Sequence, residues 1–142
     1  MNLKHLSMLV IIGAATLLSA CGPEQGHGCT MIGCQDQFTL EFEDLQQQPV
    51  LGVTGEISFD DQTIEFDCRE GSPVDGSYFC YQNKVTFFGA PSQAQFSAFA
   101  ENLFVNDSLS LTFIEVQPNG PGCDPICLQN SWTYYMYDPE DV

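Results

Sequence analysis

Positive charge is nearly missing from this chain: three lysines and arginines stand against 19 aspartates and glutamates in 142 residues, a formal net charge of −16. Lys4 lies beside an apolar N-terminal run, so from residue 21 onward only Arg69 and Lys84 remain. Nucleic acid and anionic lipid headgroups are excluded as partners on this ground, because binding them requires Lys and Arg to displace counterions. Histidine is as scarce. After residue 20 there is only His27, within a polar stretch, and no base for a nucleophilic triad. G-x-S-x-G, H-E-x-x-H, a phosphate-cradling glycine loop and C-x-x-C are all absent. These absences predict no catalytic residue, no metal ligand set and no cofactor. A glycoside hydrolase working through paired carboxylates is the one enzyme class left open, and only the number of acids speaks for it.

What is present begins with Lys4, then the apolar stretch from Leu6 to Leu18 broken only by Ser7, Gly13 and Thr16, and then small residues. That three-part layout is a secretory signal, and the run is too short to cross a bilayer core of about 30 Å as a permanent helix. It ends in Leu18-Ser19-Ala20-Cys21, which resembles the lipobox of bacterial lipoproteins. The resemblance implies that Cys21 carries lipid and becomes the first mature residue. Two or more acyl chains, at about 0.8 kcal/mol per buried methylene, attach a protein stably without spanning the membrane. Residues 1–20 are thus expected to be signal, 21–28 a lipidated tether and 29–142 one domain. Gly22 after the cysteine favours, by analogy with enteric sorting, the outer membrane of the cell envelope. The tether reaches about 25 Å at most, at ~3.5 Å per residue.

Six further cysteines follow: Cys29, Cys34, Cys68, Cys80, Cys123 and Cys127. An even set outside the reducing cytoplasm reads as three disulfides. Zinc held by the Cys29/Cys34 and Cys123/Cys127 pairs is the rival reading, but C-x4-C and C-x3-C are not the spacings of zinc knuckles, and export would oxidise them. Cys68 ends one expected strand and Cys80 lies in the next, so these two are expected to pair. Cys29 and Cys34 are then expected to bridge to Cys123 and Cys127, in an order the spacing leaves open.

Between the cysteines, apolar and polar residues alternate. Phe38, Leu40 and Phe42 form one such run; Ile57 and Phe59, then Ile64 and Phe66, flank the acidic turn Asp60-Asp61-Gln62 as a hairpin. Tyr78 to Phe88 supplies one or two more strands. Residues 94–104 suit a helix or a strand, and the β surroundings favour strand. Asn106-Asp107 is expected to turn the chain, Leu109 to Phe113 to form a strand, Gln117 to Cys127 a Pro/Gly loop, and Trp132 to Tyr137 the last strand. About seven short strands predict an all-β, antiparallel, immunoglobulin-like sandwich stapled by disulfides.

The late loop Pro118-Asn119-Gly120-Pro121-Gly122-Cys123-Asp124-Pro125-Ile126-Cys127, with Gly33-Cys34 before the first strand, resembles a group of lipoproteins of the myxobacterial type. The resemblance covers both ends of the domain and the middle only by strand pattern. It implies an exported sandwich domain and no particular activity.

The functional expectation is therefore a cell-envelope lipoprotein, attached to membrane through its lipid, whose domain is a non-enzymatic binding or structural module for an envelope or extracellular partner. Trp132, Tyr134, Tyr135 and Tyr137 suggest a carbohydrate or peptide surface, against which stands ordinary core and cross-strand packing. The alternative is a calcium-dependent binding protein, motivated by Glu41, Glu43, Glu56, Glu65 and Asp67. The alternation places these acids on one solvent face, where loose millimolar cation association is expected.

Overall fold

A computed structural model describes residues 32–141. The signal, Cys21, the tether and Cys29 lie outside the described residues. Nine strands follow in order: β1 (Gln37–Asp44), β2 (Thr54–Phe59), β3 (Gln62–Asp67), β4 (Tyr78–Tyr81), β5 (Lys84–Phe88), β6 (Gln93–Ala100), β7 (Leu103–Ser110), β8 (Ile114–Val116) and β9 (Cys127–Met136), with a short 3-10 turn at Pro139–Asp141. One sheet runs β4-β5-β1-β9-β8 and the other β3-β2-β6-β7. This is the disulfide-stapled all-β sandwich that the alternation predicts, with nine strands in place of about seven. All neighbouring pairs are antiparallel except β1 and β9, which run parallel with Gln37 beside Gln129.

The period-two pattern decides which side chains meet between the sheets. Phe38, Leu40 and Phe42 on β1 are fully buried, and Phe38 packs edge-on against Phe59 of β2 at 5.2 Å between ring centres. Phe87 of β5 lies 5.5 Å from Phe38 and 5.5 Å from Phe66 of β3, so three strands of two sheets share one aromatic cluster. At β2 the sheet tolerates no Cβ: one added to Gly55 would overlap the Ser97 carbonyl of β6 and lie 2.8 Å from the Phe66 ring. Gly55 is what allows the two strands and the Phe66 ring to close together.

The turns follow local chemistry. Asp60 and Asp61 both take positive φ, the two-residue mirror-image turn matched to strand twist, with Phe59 and Gln62 as the last pair. Gln62 is thus in β3 rather than in the turn. Asn83, in the β4–β5 turn, is buried and satisfied: its Nδ2 donates to the Phe42 carbonyl at 3.0 Å, while its own carbonyl accepts from the Phe42 amide at 2.9 Å.

Three boundaries differ from expectation. Asn106-Asp107 is not a turn; both lie inside β7, an edge strand with water on its outer face, where polar residues cost little. The reversal falls at Glu101-Asn102, with Glu101 in the left-handed region and Ala100 opposite Leu103. The expected strand from Leu109 to Phe113 is instead the end of β7, an irregular step, and then β8. Residues 94–104 are strand, as the surroundings favoured, and β9 starts five residues before Trp132.

Candidate functional site

The cysteines are where covalent chemistry acts. Cys68 and Cys80 are bridged across a 12-residue separation, with Cα atoms 5.6 Å apart, and so join the end of β3 to β4 in the other sheet. Cys34 and Cys127 are bridged across 93 residues, with Cα atoms 6.0 Å apart. The parallel pairing of β1 with β9 makes this second bridge possible: it sets the starts of both strands side by side, and the cysteines sit just before or at those starts. Cys123 is also disulfide-bonded. The cross-domain pairing that spacing left open is therefore Cys34 to Cys127, while the expected partner Cys29 lies outside the described residues.

The Pro/Gly loop before β9 is held by Asn119, a residue the sequence reading passed over. Its buried Nδ2 donates to the carbonyls of Ile32 at 3.0 Å and Asp124 at 2.6 Å, and its Oδ1 accepts from the Ile32 amide at 2.8 Å. Asp36 adds a further tie, accepting from the Leu128 amide at 2.8 Å. The entry of the chain into the domain is fastened to the last loop by both bonding types.

The aromatic residues of β9 divide as alternation requires. Tyr134 packs on Phe96 at 4.8 Å and Trp132 on Phe113 at 6.1 Å, towards the interior. Burial, and secondarily the Asp107 carboxylate, hold the Tyr134 hydroxyl above the usual tyrosine range. Tyr137 packs on Phe104. Tyr135 alone stands exposed on the outer face. These four do not form one surface.

The acids do not share one face either, and here the expectation is corrected. Glu41 and Glu43 stand outward on β1, on one sheet, whereas Glu56, Glu65 and Asp67 stand outward on β2 and β3, on the other. Alternation tells inside from outside but not which of two sheets a strand joins. Lys84 lies 3.2 Å from Glu41, and Arg69 lies 2.5 Å from Asp67. The hydrogen bond from the Arg69 side chain holds the Asp67 carboxyl below its usual value. Among the described residues no group of three or more His, Cys, Asp or Glu side chains is placed to hold a metal ion.

The outer face of the β3-β2-β6-β7 sheet carries a depression of about 600 Å³ over Thr54, Gly55 and Ser97, walled by Glu56, Glu65 and Phe99. Glu56 stands directly opposite Glu65 on one side and Ser97 on the other. A second hollow of about 210 Å³ adjoins it, sharing Glu56 and Ser97 and continuing past Ser58, Gln95 and Asn106. Phe99, 47% exposed, lies against Phe104 at 4.9 Å and closes one end. The sequence names Glu56 and Glu65, but not Ser97, Gln95 or Phe99, because residues 94–104 read ambiguously between helix and strand.

Comparison with protein-family models, curated proteins and solved structures finds no match to this chain.

Proposed function

We propose that this chain is a lipid-anchored protein of a bacterial cell envelope, held through Cys21, whose sandwich is a non-enzymatic binding or structural module. The observation that carries the reading is the Cys34–Cys127 disulfide. Such a bond persists in an oxidising compartment, which agrees with the secretory layout of residues 1–20. Its position suits an anchored domain as well. A pull on a tether at residues 21–28 enters through residues 32–36 and meets a covalent link to the last strand, not hydrogen bonds alone. Gly22 favours the outer membrane, and the likeness of both chain ends to myxobacterial-type lipoproteins points the same way on export. The charge balance argues for a partner other than nucleic acid.

The test is metabolic labelling of an expressing bacterium with an alkyne fatty acid, followed by intact mass of the purified protein. Wild type is expected to carry label and to begin at Cys21; Cys21→Ser is expected to stay unlabelled and uncleaved at this site. A mature wild-type protein free of acyl chains overturns the reading.

A further inference from the structure

We propose that the trough on the outer face of the β3-β2-β6-β7 sheet binds a glycan chain bearing free amino groups. The proposal rests on the binding-module reading and names its ligand class.

Three features of the trough carry it. The first is shape: a hollow of about 600 Å³ continues into one of about 210 Å³ across the strands, long enough in outline for a chain rather than a single small molecule. It arises because short residues, Thr54, Gly55, Ser58 and Ser97, lie between taller ones. The second is the kind of hydrogen-bonding group. Glu56, Ser97, Gln95 and Asn106 offer carboxylate, hydroxyl and amide side chains, the inventory that pairs with sugar hydroxyls. The backbone of β2 and β6 is already paired on both sides within the sheet, so an extended peptide laid on this face finds no free main-chain groups to bond. Phe99 offers an exposed ring at the end, suited to the apolar face of a pyranose or to a cation.

The third feature is charge. Glu56 and Glu65 face one another directly across the β2–β3 pair, an arrangement that is destabilising for like charges. Among the described residues the ion pairs are Arg69–Asp67 and Lys84–Glu41, so neither of these two glutamates is neutralised. An ammonium group seated between them removes the repulsion and gains charge-assisted hydrogen bonds. Anionic glycans are rejected by the same two residues. A neutral glycan finds the hydroxyl partners but not the ion pair, and a simple polyamine or oligolysine finds the ion pair but not the ring and the hydroxyl partners.

The experiment is isothermal titration of the full-length acylated protein in detergent with four probes: a β-1,4-linked glucosamine tetramer with free amines, its N-acetylated form, a glucose tetramer and tetralysine. The free-amine tetramer is expected to bind at least about fivefold more tightly than each of the others, the scale of one additional polar or ring contact. Glu65→Gln and Phe99→Ala are each expected to weaken it about fivefold. Phe79→Ala, an exposed ring on the other sheet, is expected to leave it unchanged. All three positions are exposed, and thermal melting checks that each variant folds. Equal binding of tetralysine, insensitivity to Phe99→Ala, or no binding of the free-amine tetramer overturns the proposal. No binding by a protein whose acylation at Cys21 has been verified removes the glycan and leaves the envelope reading intact. Shortening of the bound tetramer, read by mass spectrometry, supports the site while overturning the non-enzymatic reading.

Discussion

The carboxamide of Asn119 does for Ile32 what a neighbouring strand does, accepting from its amide at 2.8 Å and donating to its carbonyl at 3.0 Å, across 87 residues of sequence. Because Asn119 is buried, removing it leaves these main-chain groups, and the Asp124 carbonyl, without that partner. Asn119→Ala is expected to cost about 1–3 kcal/mol, the penalty for unsatisfied buried polar groups. Asn119→Asp, which keeps the acceptor and loses the donor, is expected to cost less than the alanine at neutral pH. Chemical denaturation measures both, and an unchanged midpoint for Asn119→Ala would show the clip to be redundant with the disulfide beside it.

The two described disulfides differ in the loop they close. In the chain-entropy view a 93-residue separation contributes roughly 4–5 kcal/mol and a 12-residue one roughly 3 kcal/mol. The double variant Cys34→Ser with Cys127→Ser is therefore expected to lose more stability than Cys68→Ser with Cys80→Ser. Peptide mapping without reduction is expected to yield 34–127, 68–80 and 29–123 linked peptides. A local 29–34 peptide contradicts this.

Gly55→Ala is expected to destabilise the fold by about 1–3 kcal/mol or more, the range for overpacking, since the new methyl meets backbone of β6 and the Phe66 ring. Equilibrium unfolding checks it. A neutral result would mean that β2 and β6 separate without penalty.

Acid sensitivity has two named sources. The Arg69 side chain lowers the Asp67 carboxyl and the Ser77 backbone amide lowers that of Asp75, each from an ordinary value of 3.8. A carboxyl with a depressed folded value stabilises the native state above its unfolded value and loses that contribution as pH falls through the folded one. Stability is thus expected to decline below about pH 4. Both groups are exposed, so the decline from these sources is shallow. Arg69→Gln is expected to return Asp67 to the ordinary range in an NMR titration and to leave Asp75 unmoved.

Calcium is expected to stabilise the protein no more than sodium at matched ionic strength. The five acids that suggested a site are divided between two outer faces, and two of them already hold cations, Lys84 and Arg69. Calorimetry that finds a stoichiometric site overturns this.

Alternation of side chains was legible directly. Phe38, Leu40 and Phe42, or Ile57 and Phe59, announce a buried face because successive residues of a strand point to opposite sides, and no distant contact is needed to read it. The two-residue hairpin at Asp60-Asp61 and the local Cys68–Cys80 bridge were legible for the same reason: both depend on neighbours in sequence. Asn106-Asp107 misled, since those residue types favour turns, while an edge strand facing water accepts them equally well. What only the tertiary structure decided is everything that turns on which strand lies beside which. The parallel β1–β9 pair selects Cys34–Cys127, the split of strands between two sheets separates Glu41 from Glu56, and the β2–β6 pairing sets Ser97 and Phe99 beside Glu56. A period of two fixes a side chain's direction relative to its own strand. Its companions across the sheet are chosen by the packing of the whole domain.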